Sequence, residues 1–410
     1  MKIQRPRGTH DILPSEQPLW QRVTGEMERL CALYGYRRIQ TPVFEDTELF
    51  ARTSGAGSDI VQKEMYTFTD RSDRSLTLRP EGTAPICRAY VEYGLHKEPQ
   101  PQKLFTIASM YRYGRPGRGR HSEHWQLSVE AIGSSDPAID AEIIQLYDTL
   151  LHRLGVTEYR LELNSIGCRE CRPAYVEKLR GWLHEHEDEL DADAREKAAT
   201  SPLRVFDVKN AETKELLEAA PKIGESLCDA CIEHFSGVCA DLDATGVRYQ
   251  LVPTLVRGLD YYSRTTWEFV GATANENSTL SGGGRYDYLV EEIGGPPTPG
   301  VGFGAGIERL LIAMEDEAVA DVEAPTIDVF FVADGGARTR IAALLAVLRC
   351  EGVSCDTEYA GRSRKGQLTQ AKRLGAETVV IATAEHAVVQ RPDALDVKVE
   401  YDDLLARLRR

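Results

Sequence analysis

The sequence predicts an α+β protein in which an antiparallel sheet is flanked by helices, and three observations carry this prediction. First, strand-like segments come in pairs around polar turns, as at residues 65–69 and 75–78. Second, a helix-rich stretch after residue 167 separates two groups of strand-like segments. Third, strands and helices alternate after residue 325, which is typical of a small α/β domain.

The first part of the predicted core covers residues 1–166. It opens with a helical pattern that ends at Gly35, a residue that favours helix termination. A short strand is predicted next, over residues 37–40. Residues 103–113 and 123–132 predict a second pair of strands, joined by a loop rich in Gly, Arg and Pro.

The rest of the chain divides into three predicted segments. Residues 167–240 are a helical insertion that contains an acidic run and four cysteines. Sheet-like sequence resumes in residues 241–318, which complete the core and end in a helical pattern over residues 306–317. After an acidic, Ala-rich linker, residues 326–410 form a predicted C-terminal α/β domain.

Composition limits the classes of protein that this chain could belong to. A hydrophobic content of 42% fits an ordinary globular protein. The sequence shows neither a signal peptide nor an apolar run that could cross a bilayer, so we expect a cytoplasmic protein without a membrane partner. A net charge of −15 taken alone argues against nucleic-acid binding, but residues 112–120 and 362–365 are local basic segments.

Two segments bring polar side chains into the predicted sheet. Glu81 follows Arg79-Pro80 where a strand gives way to a helix. It could hold a substrate ammonium or simply satisfy the helix dipole. Arginines crowd the hairpin loop at residues 112–120, which suits polyphosphate or an RNA end. In the strand that follows, alternation places Gln126 and Glu130 on one face, which is either a site or a solvated surface.

Two further segments combine arginine with glycine. Arg257 precedes Gly258, and Asp260 and two tyrosines follow; this predicts an anion clamp beside an aromatic pocket or a structural Arg257–Asp260 ion pair. Glycines crowd residues 281–287 and 300–306, where backbone must lie close to a ligand or to another strand. Arg309 opens the next helix and could reach a phosphate. The Gly-x-x-x-x-Gly-Lys-Ser/Thr phosphate-binding sequence does not occur.

The four cysteines of the insertion form two Cys-x-x-Cys pairs, Cys168 with Cys171 and Cys228 with Cys231. This spacing suits a structural zinc site with four thiolates, provided that the ends of the insertion meet. Four small residues packed in the core of the insertion would give the same pattern.

Taken in order, these motifs resemble the histidyl-tRNA synthetase family, a branch of the class II aminoacyl-tRNA synthetases. The resemblance rests on Arg-Pro-Glu-Gly-Thr at 79–83, Leu-Val-Arg-Gly-Leu-Asp-Tyr-Tyr at 255–262, Gly-Gly-Arg-Tyr-Asp at 283–287 and Gly-x-Gly-x-Glu-Arg at 304–309. It runs from end to end of the chain. It implies ATP with Mg²⁺, L-histidine and tRNA(His) as substrates, a homodimer formed through the first helix and strand, and a C-terminal anticodon-binding domain.

The resemblance also assigns roles to residues. Arg112 and Arg257 would be catalytic, gripping the α-phosphate and the histidine carboxylate. The residues that would bind histidine are Glu81, Gly82, Thr83, Gln126, Glu130, Arg257, Tyr261, Tyr262 and Tyr286. The residues that would bind ATP are Arg112, Arg120, His124 and Arg309. The zinc site is not implied by the resemblance.

The sequence departs from the family pattern in the arginine hairpin. Gly114 stands where the family usually has an acid that contacts adenine, and Gly117 where it often has a glutamine linked to the extra 5′ guanosine of the tRNA. His124 is the ring that would pack on adenine. The alternative function is a synthetase paralogue that acts as a histidine sensor or an RNA-binding module. Histidine sensors of this kind tend to lose the Arg257 chemistry and the C-terminal domain, and this chain keeps both. The altered arginine hairpin gives the RNA-binding alternative some support.

Overall fold

The structure is a computed structural model that describes residues 2–53, 60–272, 279–392 and 394–409. The chain divides into two compact units, Met1–Leu13 with Leu19–Asp321 and Pro14–Pro18 with Val322–Arg410. Among the described residues, none of the helices combines the length and the apolar content that crossing a bilayer requires.

The larger unit contains strands β1 to β11 and helices α1 to α10. The strands are β1 (Arg37–Arg38), β2 (Phe44–Asp46), β3 (Thr67–Thr69), β4 (Ser75–Leu78), β5 (Gln102–Tyr111), β6 (Glu123–Ile132), β7 (Tyr159–Ser165), β8 (Gln250–Leu251), β9 (Ser263–Gly271), β10 (Thr279–Arg285) and β11 (Gly300–Gly306). The helices are α1 (Gln17–Leu33), α2 (Thr47–Thr53), α3 (Thr83–Glu92), α4 (Pro137–Leu154), α5 (Arg172–Glu185), α6 (Ala192–Thr200), α7 (Ala211–Glu218), α8 (Asp229–Thr245), α9 (Leu289–Glu292) and α10 (Ile307–Asp316).

Eight strands of the described chain form one large sheet in the order β1-β5-β6-β11-β10-β9-β7-β8. Its interior pairs are antiparallel, as predicted, and β5 and β6 pair along their whole lengths. The two edge pairs, β1 with β5 and β7 with β8, are parallel. The predicted hairpin after residue 65 is confirmed, because β3 and β4 pair antiparallel in a separate small sheet with β2.

The two faces of the large sheet differ in chemistry because side chains alternate along each strand. One face carries Leu127 and Val129 of β6 into the main apolar core. Helix α4 packs there and is well delimited: Asp136 caps its first turn by accepting the N–H of Ala138 at 3.0 Å, and Gly155 ends it with φ of 85°. The other face presents polar side chains and glycines, and the candidate site lies on it.

Helices α5 to α7 lie between β7 and α8 and share their own apolar core, which includes Tyr175, Leu179 and Val205. Helix α8 is different, because its Val238 and Leu242 are buried in the main core of the sheet. The boundary predicted at residue 240 therefore falls within α8.

The smaller unit contains β12 (Val329–Ala333), α11 (Arg338–Cys350), β13 (Cys355–Thr357), α12 (Arg364–Arg373), β14 (Thr378–Ala382), β15 (Ala387–Gln390), β16 (Val397–Val399) and α13 (Tyr401–Leu408). Its five strands are ordered β13-β12-β14-β15-β16. β12 pairs parallel with both neighbours, and the last two pairs are antiparallel. This is the small α/β arrangement that the alternating pattern predicts.

Candidate active site

A cleft of about 230 Å³ opens on the polar face of the large sheet. Most of the site residues predicted from the sequence line it, namely Glu81, Thr83, Arg112, Arg120, His124, Gln126, Arg257, Tyr261, Tyr262 and Arg309. The others, Gly82, Glu130 and Tyr286, are buried next to lining residues. The fold therefore brings segments from five different parts of the chain to one place.

Five arginines of the described chain line this cleft, namely Arg112, Arg115, Arg120, Arg257 and Arg309. Arg112 donates from Nε to the carbonyl oxygen of Pro80 at 2.8 Å, and Arg309 donates from Nη1 to that of Thr279 at 2.8 Å. Burial, followed by the positive charges of Arg120, Arg112 and Arg257, lowers the pKa of Arg309 to about 10. Like charges held together in a buried cleft favour a polyanionic ligand.

Arg257 lies in an irregular loop between β8 and β9, and its partner is Glu268 of β9. The alternative ion pair with Asp260 that the sequence suggested is therefore not its described contact. Arg257 Nε is buried without a hydrogen-bond partner. The guanidinium thus keeps a donor available while Glu268 holds its other end.

Glu81 occupies the turn that starts α3. Its carboxylate accepts hydrogen bonds from the backbone N–H groups of Thr83 at 2.6 Å and Ala84 at 2.9 Å. Glu81 therefore satisfies the start of the helix, which was one of its two predicted roles. Glu81 also lines the cleft. Burial raises its pKa above the ordinary value although those N–H groups oppose the change. A buried carboxylate at the cleft wall can accept an ammonium group.

Glu130 is fully buried under the cleft and is held by two hydroxyl groups. Thr83 donates to one oxygen at 2.7 Å and Tyr286 to the other at 2.6 Å. Burial raises the pKa of Glu130 well above its ordinary value. Tyr286 packs edge-to-face on Tyr261, which lies against Tyr262 with 4.6 Å between ring centroids. Hydroxyl, carboxyl and aromatic groups thus form one polar pocket behind the arginines.

Glycines of β10 and β11 form the floor of the site. Gly282 pairs with Gly304, and Gly284 pairs with Gly302, across the two strands. A Cβ at Gly282 would overlap the Arg257 guanidinium, and one at Gly304 would lie 2.7 Å from Gln126 Nε2. The glycine crowding noted in the sequence therefore leaves room for site side chains rather than tightening the strand packing alone.

Several lining residues were not among the predicted site residues, and Glu308 and His121 are two of them. Glu308 accepts the N–H of Trp125 at 2.8 Å and lines the cleft; burial raises its pKa to about 7. Its position before Arg309 was visible in the sequence, but no pattern showed that it would be buried. His121 also lines the cleft, and its ring lies 4.7 Å from that of His10.

The two Cys-x-x-Cys pairs meet away from the cleft. Their four Sγ atoms lie within 4.8 Å of one another, and Cys168 Sγ is 3.8 Å from those of Cys171 and Cys228. The Sγ atoms of Cys171 and Cys231 are also 3.8 Å apart. Burial opposes ionisation of Cys168, but backbone N–H groups around it outweigh this and lower its pKa to about 7. The thiols form their own cluster, apart from the apolar core of the insertion.

The comparisons with known proteins agree with the geometry of the site. Residues 8–310 match the family model described as histidyl-tRNA synthetase. The histidine–tRNA ligase of Desulforudis audaxviator is 46% identical over 417 residues, covering 100% of this chain and 99% of that protein. The corresponding protein of Dehalococcoides mccartyi is 43% identical over 414 residues, covering 99% of each chain.

The crystal structure of apo histidyl-tRNA synthetase from S. aureus superposes with a TM-score of 0.84 at 34% identity, covering 100% of both chains. The predicted class II fold is thereby confirmed. On the combined strength of its site, its sequence and its fold, this chain belongs to the histidyl-tRNA synthetase family.

Proposed function

We propose that this chain activates L-histidine with ATP to histidyl-adenylate and transfers the histidyl group to tRNA(His). The observation that carries the proposal is the convergence of Arg112, Arg120, Arg257 and Arg309 on a cleft backed by buried carboxyl and tyrosine groups. The arginines suit the phosphates of ATP, and the pocket behind them suits a small polar amino acid.

The first step needs little acid–base chemistry from the protein. The histidine carboxylate is already a nucleophile; its oxygen attacks the α-phosphorus, and pyrophosphate leaves. Arg112 and Arg257 hold the reacting carboxylate and α-phosphate, while Arg309 holds the γ-phosphate end. Charge stabilisation and positioning supply the catalysis. Mg²⁺ arrives with ATP, and Glu308 is a carboxylate on the cleft wall that fits such a cation.

Recognition of histidine falls to the deeper pocket. Glu81, Thr83 and Gln126 take the α-ammonium, and Glu130 with Tyr262 reads the imidazole. Gly82 permits the close turn beside them, and a Cβ there would lie 2.9 Å from the Cβ of Ser128. A buried carboxyl group that a ring N–H satisfies discriminates against side chains of similar size that cannot donate.

Adenine binding rests on Arg120 and His124. Burial, assisted by the charges of Arg112 and Arg309, lowers the pKa of His124 to about 3, so the imidazole is neutral and available for stacking. Gly114 has no side chain, so no acid contacts adenine from that position.

The decisive experiment is histidine-dependent ATP–pyrophosphate exchange by the purified full-length chain. We expect exchange with histidine and none with the other amino acids. Exchange without amino-acid dependence, or none at all with retained histidine binding, would favour the sensor or RNA-binding alternative.

The four-thiol cluster is proposed as a structural zinc site. Zinc–sulfur bonds of about 2.3 Å in a tetrahedron require sulfur atoms about 3.8 Å apart. Three of the six Sγ separations are 3.8 Å, and all six are within 4.8 Å. Cys171 and Cys228 also stand at the N-caps of α5 and α8. Four protein ligands leave no position for substrate, so the zinc would be structural.

Metal analysis of protein purified without chelator tests the zinc proposal. Less than roughly a tenth of an equivalent of zinc contradicts it.

The remaining proposals concern the setting of the enzyme. The chain is proposed to be a cytoplasmic homodimer, with the segment around residues 35–45 at the interface. Residues 326–410 are proposed to bind the anticodon.

A further inference from the structure

Helix α5 begins at the cysteine cluster, and its first residue, Arg172, contacts the loop that carries the tyrosines of the histidine pocket. Arg172 donates from Nη2 to the carbonyl oxygen of Tyr262 at 2.6 Å. The same group donates to the carbonyl oxygen of Gly167 at 3.0 Å, and Nε donates to that of Ile166 at 3.0 Å. One guanidinium therefore joins the end of β7 to the histidine loop.

The histidine loop, residues 252–262, has no regular secondary structure. Backbone hydrogen bonds hold its start, from the N–H of Val252 to the carbonyl oxygen of Leu163 at 3.0 Å and from the N–H of Leu255 to that of Val252 at 2.9 Å, and side chains add contacts at both ends. Asn164 donates from Nδ2 to the carbonyl oxygen of Leu255 at 2.9 Å at one end. Arg172 holds the carbonyl of Tyr262 at the other end. The placement of the Tyr261–Tyr262 ring pair over the glycine floor consequently depends on where Arg172 lies.

The backbone of Arg172 is part of the turn that carries the first cysteine pair. The backbone N–H of Arg172 donates to the carbonyl oxygen of Cys168 at 3.0 Å, so its main chain belongs to the Cys168–Cys171 turn. The opposite pair, Cys228 and Cys231, begins α8, which is anchored in the main core. A metal shared by the four thiolates would tie the start of α5, and hence Arg172, to a fixed helix.

We propose that Arg172 is a positioning residue for histidine, and that the metal content of the four-cysteine site sets the affinity of the enzyme for histidine. The inference rests on the proposed function, because it concerns the same pocket. Arg172 touches no reacting atom in this scheme; it acts through the backbone of Tyr262. It should therefore affect histidine binding and leave ATP binding alone.

The test is histidine-dependent pyrophosphate exchange by the full-length, zinc-loaded enzyme. Loss of a charged hydrogen bond that orders the pocket should raise the histidine KM of Arg172→Ala by about 10- to 100-fold, with kcat and the ATP KM within about threefold of wild type. Arg172→Lys, which keeps the charge but not the fork, should be intermediate. Arg180→Ala, an exposed residue of the same helix, is the matched control and should behave as wild type.

The metal arm uses the wild-type enzyme stripped by a chelator. Stripping should raise the histidine KM to the same extent as Arg172→Ala, Zn²⁺ alone should restore it, and stripping Arg172→Ala should add no further rise. A wild-type histidine KM in Arg172→Ala, or an equal rise in the KM for ATP, overturns the positioning role. An unchanged histidine KM after stripping overturns the proposal that the metal content sets the affinity for histidine.

Two outcomes separate this proposal from others. If Arg172→Ala does not fold, Arg172→Lys and the stripped wild type decide, and wild-type KM values in both overturn the proposal. If wild-type enzyme shows no histidine-dependent exchange at all, it is the proposed function that fails.

Discussion

Five arginines line the candidate active site, and their positive charges lie close together. Burial lowers the pKa of Arg309, and the charges of Arg120, Arg112 and Arg257 lower it further. A triphosphate neutralises these charges, and the charge that develops as the α-phosphate reacts meets donors that are already in place. Arg257 lies in the loop that also carries Tyr261 and Tyr262 of the histidine pocket.

Replacing Arg257 by Ala should remove a contact that matters most in the transition state. Adenylate formation in a single turnover should fall by about 10²-fold or more, while histidine binding remains measurable. Arg160→Ala, which removes an exposed arginine of β7, provides the control. Adenylate formation by Arg257→Ala at the wild-type rate would show that the assigned role is wrong.

Gly282→Ala tests the same arginine without touching it. The added Cβ would overlap the Arg257 guanidinium, which lies at the end of a flexible side chain and can move away. We expect the variant to fold and its adenylation rate to fall by roughly tenfold or more, since a misplaced catalytic group is costly. Gly181→Ala adds the same methyl group where nothing lies within 4 Å, and single-turnover rates compare the two.

Glu308 makes the stability of the larger unit depend on pH. Its folded-state pKa of about 7 lies above the ordinary 4.5, so the folded protein binds the proton more tightly than the unfolded chain. The stabilisation is fully present below about pH 4.5 and is lost as the pH rises through 7. Relative to Glu308→Gln, which does not titrate, wild type should lose up to about 3 kcal/mol over that window.

Urea unfolding of both proteins at pH 5 and pH 8, followed by tryptophan fluorescence, measures this difference. The stability gap between wild type and Glu98→Gln, a change at an exposed position, should be the same at both pH values. A constant gap between wild type and Glu308→Gln at the two pH values would contradict the assignment.

At the scale of elements, paired strands and helix ends were predictable because their signals are local. Alternation in β6 and the turn between β3 and β4 are examples. The parallel edge pairs were not predictable, since β1 and β5 are distant in sequence and no turn joins them. For the same reason the sequence suggested Asp260 rather than Glu268 as the partner of Arg257. Asp260 is closer along the chain, but Glu268 is the residue that contacts Arg257 in the folded protein.

The first helix and strand bear on dimerisation. β1 lies at one edge of the large sheet, and Leu33, Val43 and Phe44 are exposed near it. Phe44 packs edge-to-face on the exposed Phe68. Exposed apolar groups close to an open sheet edge are typical of an interface.

Phe44→Glu should therefore yield a monomer at micromolar concentration where wild type sediments as a dimer, because the interface would bury an unpaired charge. Leu251→Glu, at the opposite edge of the sheet, is the control and should remain dimeric. A fully active wild-type monomer at micromolar concentration would refute the dimer itself.

At the scale of the whole molecule, an acidic protein must bind RNA through local positive surfaces. Around α12 the exposed basic residues are Arg362, Arg364, Lys365, Lys372 and Arg373. Because the chain as a whole carries a net charge of −15 and so repels RNA, contacts to the tRNA backbone should concentrate there.

The double variant Arg364→Glu with Lys365→Glu should raise the KM for tRNA by about tenfold or more and make it less sensitive to salt. Histidine-dependent pyrophosphate exchange needs no tRNA and should be unchanged. Lys398→Glu, exposed on β16 of the same unit, is the matched control. Equal losses in charging and exchange would show that the substitutions act on folding rather than on RNA.

The meeting of the four cysteines has a consequence for how this chain could have been assembled. The polypeptide leaves the sheet after β7 and returns through α8, and both crossings lie within one thiol cluster. Because the points where the chain leaves and rejoins the sheet lie close together, the segment carrying α5 to α7 is a self-contained insertion. It can be lengthened, shortened or exchanged between relatives without changing the strand order of the sheet. Helix α8, which shares the main core, is the part that such an exchange would have to leave behind.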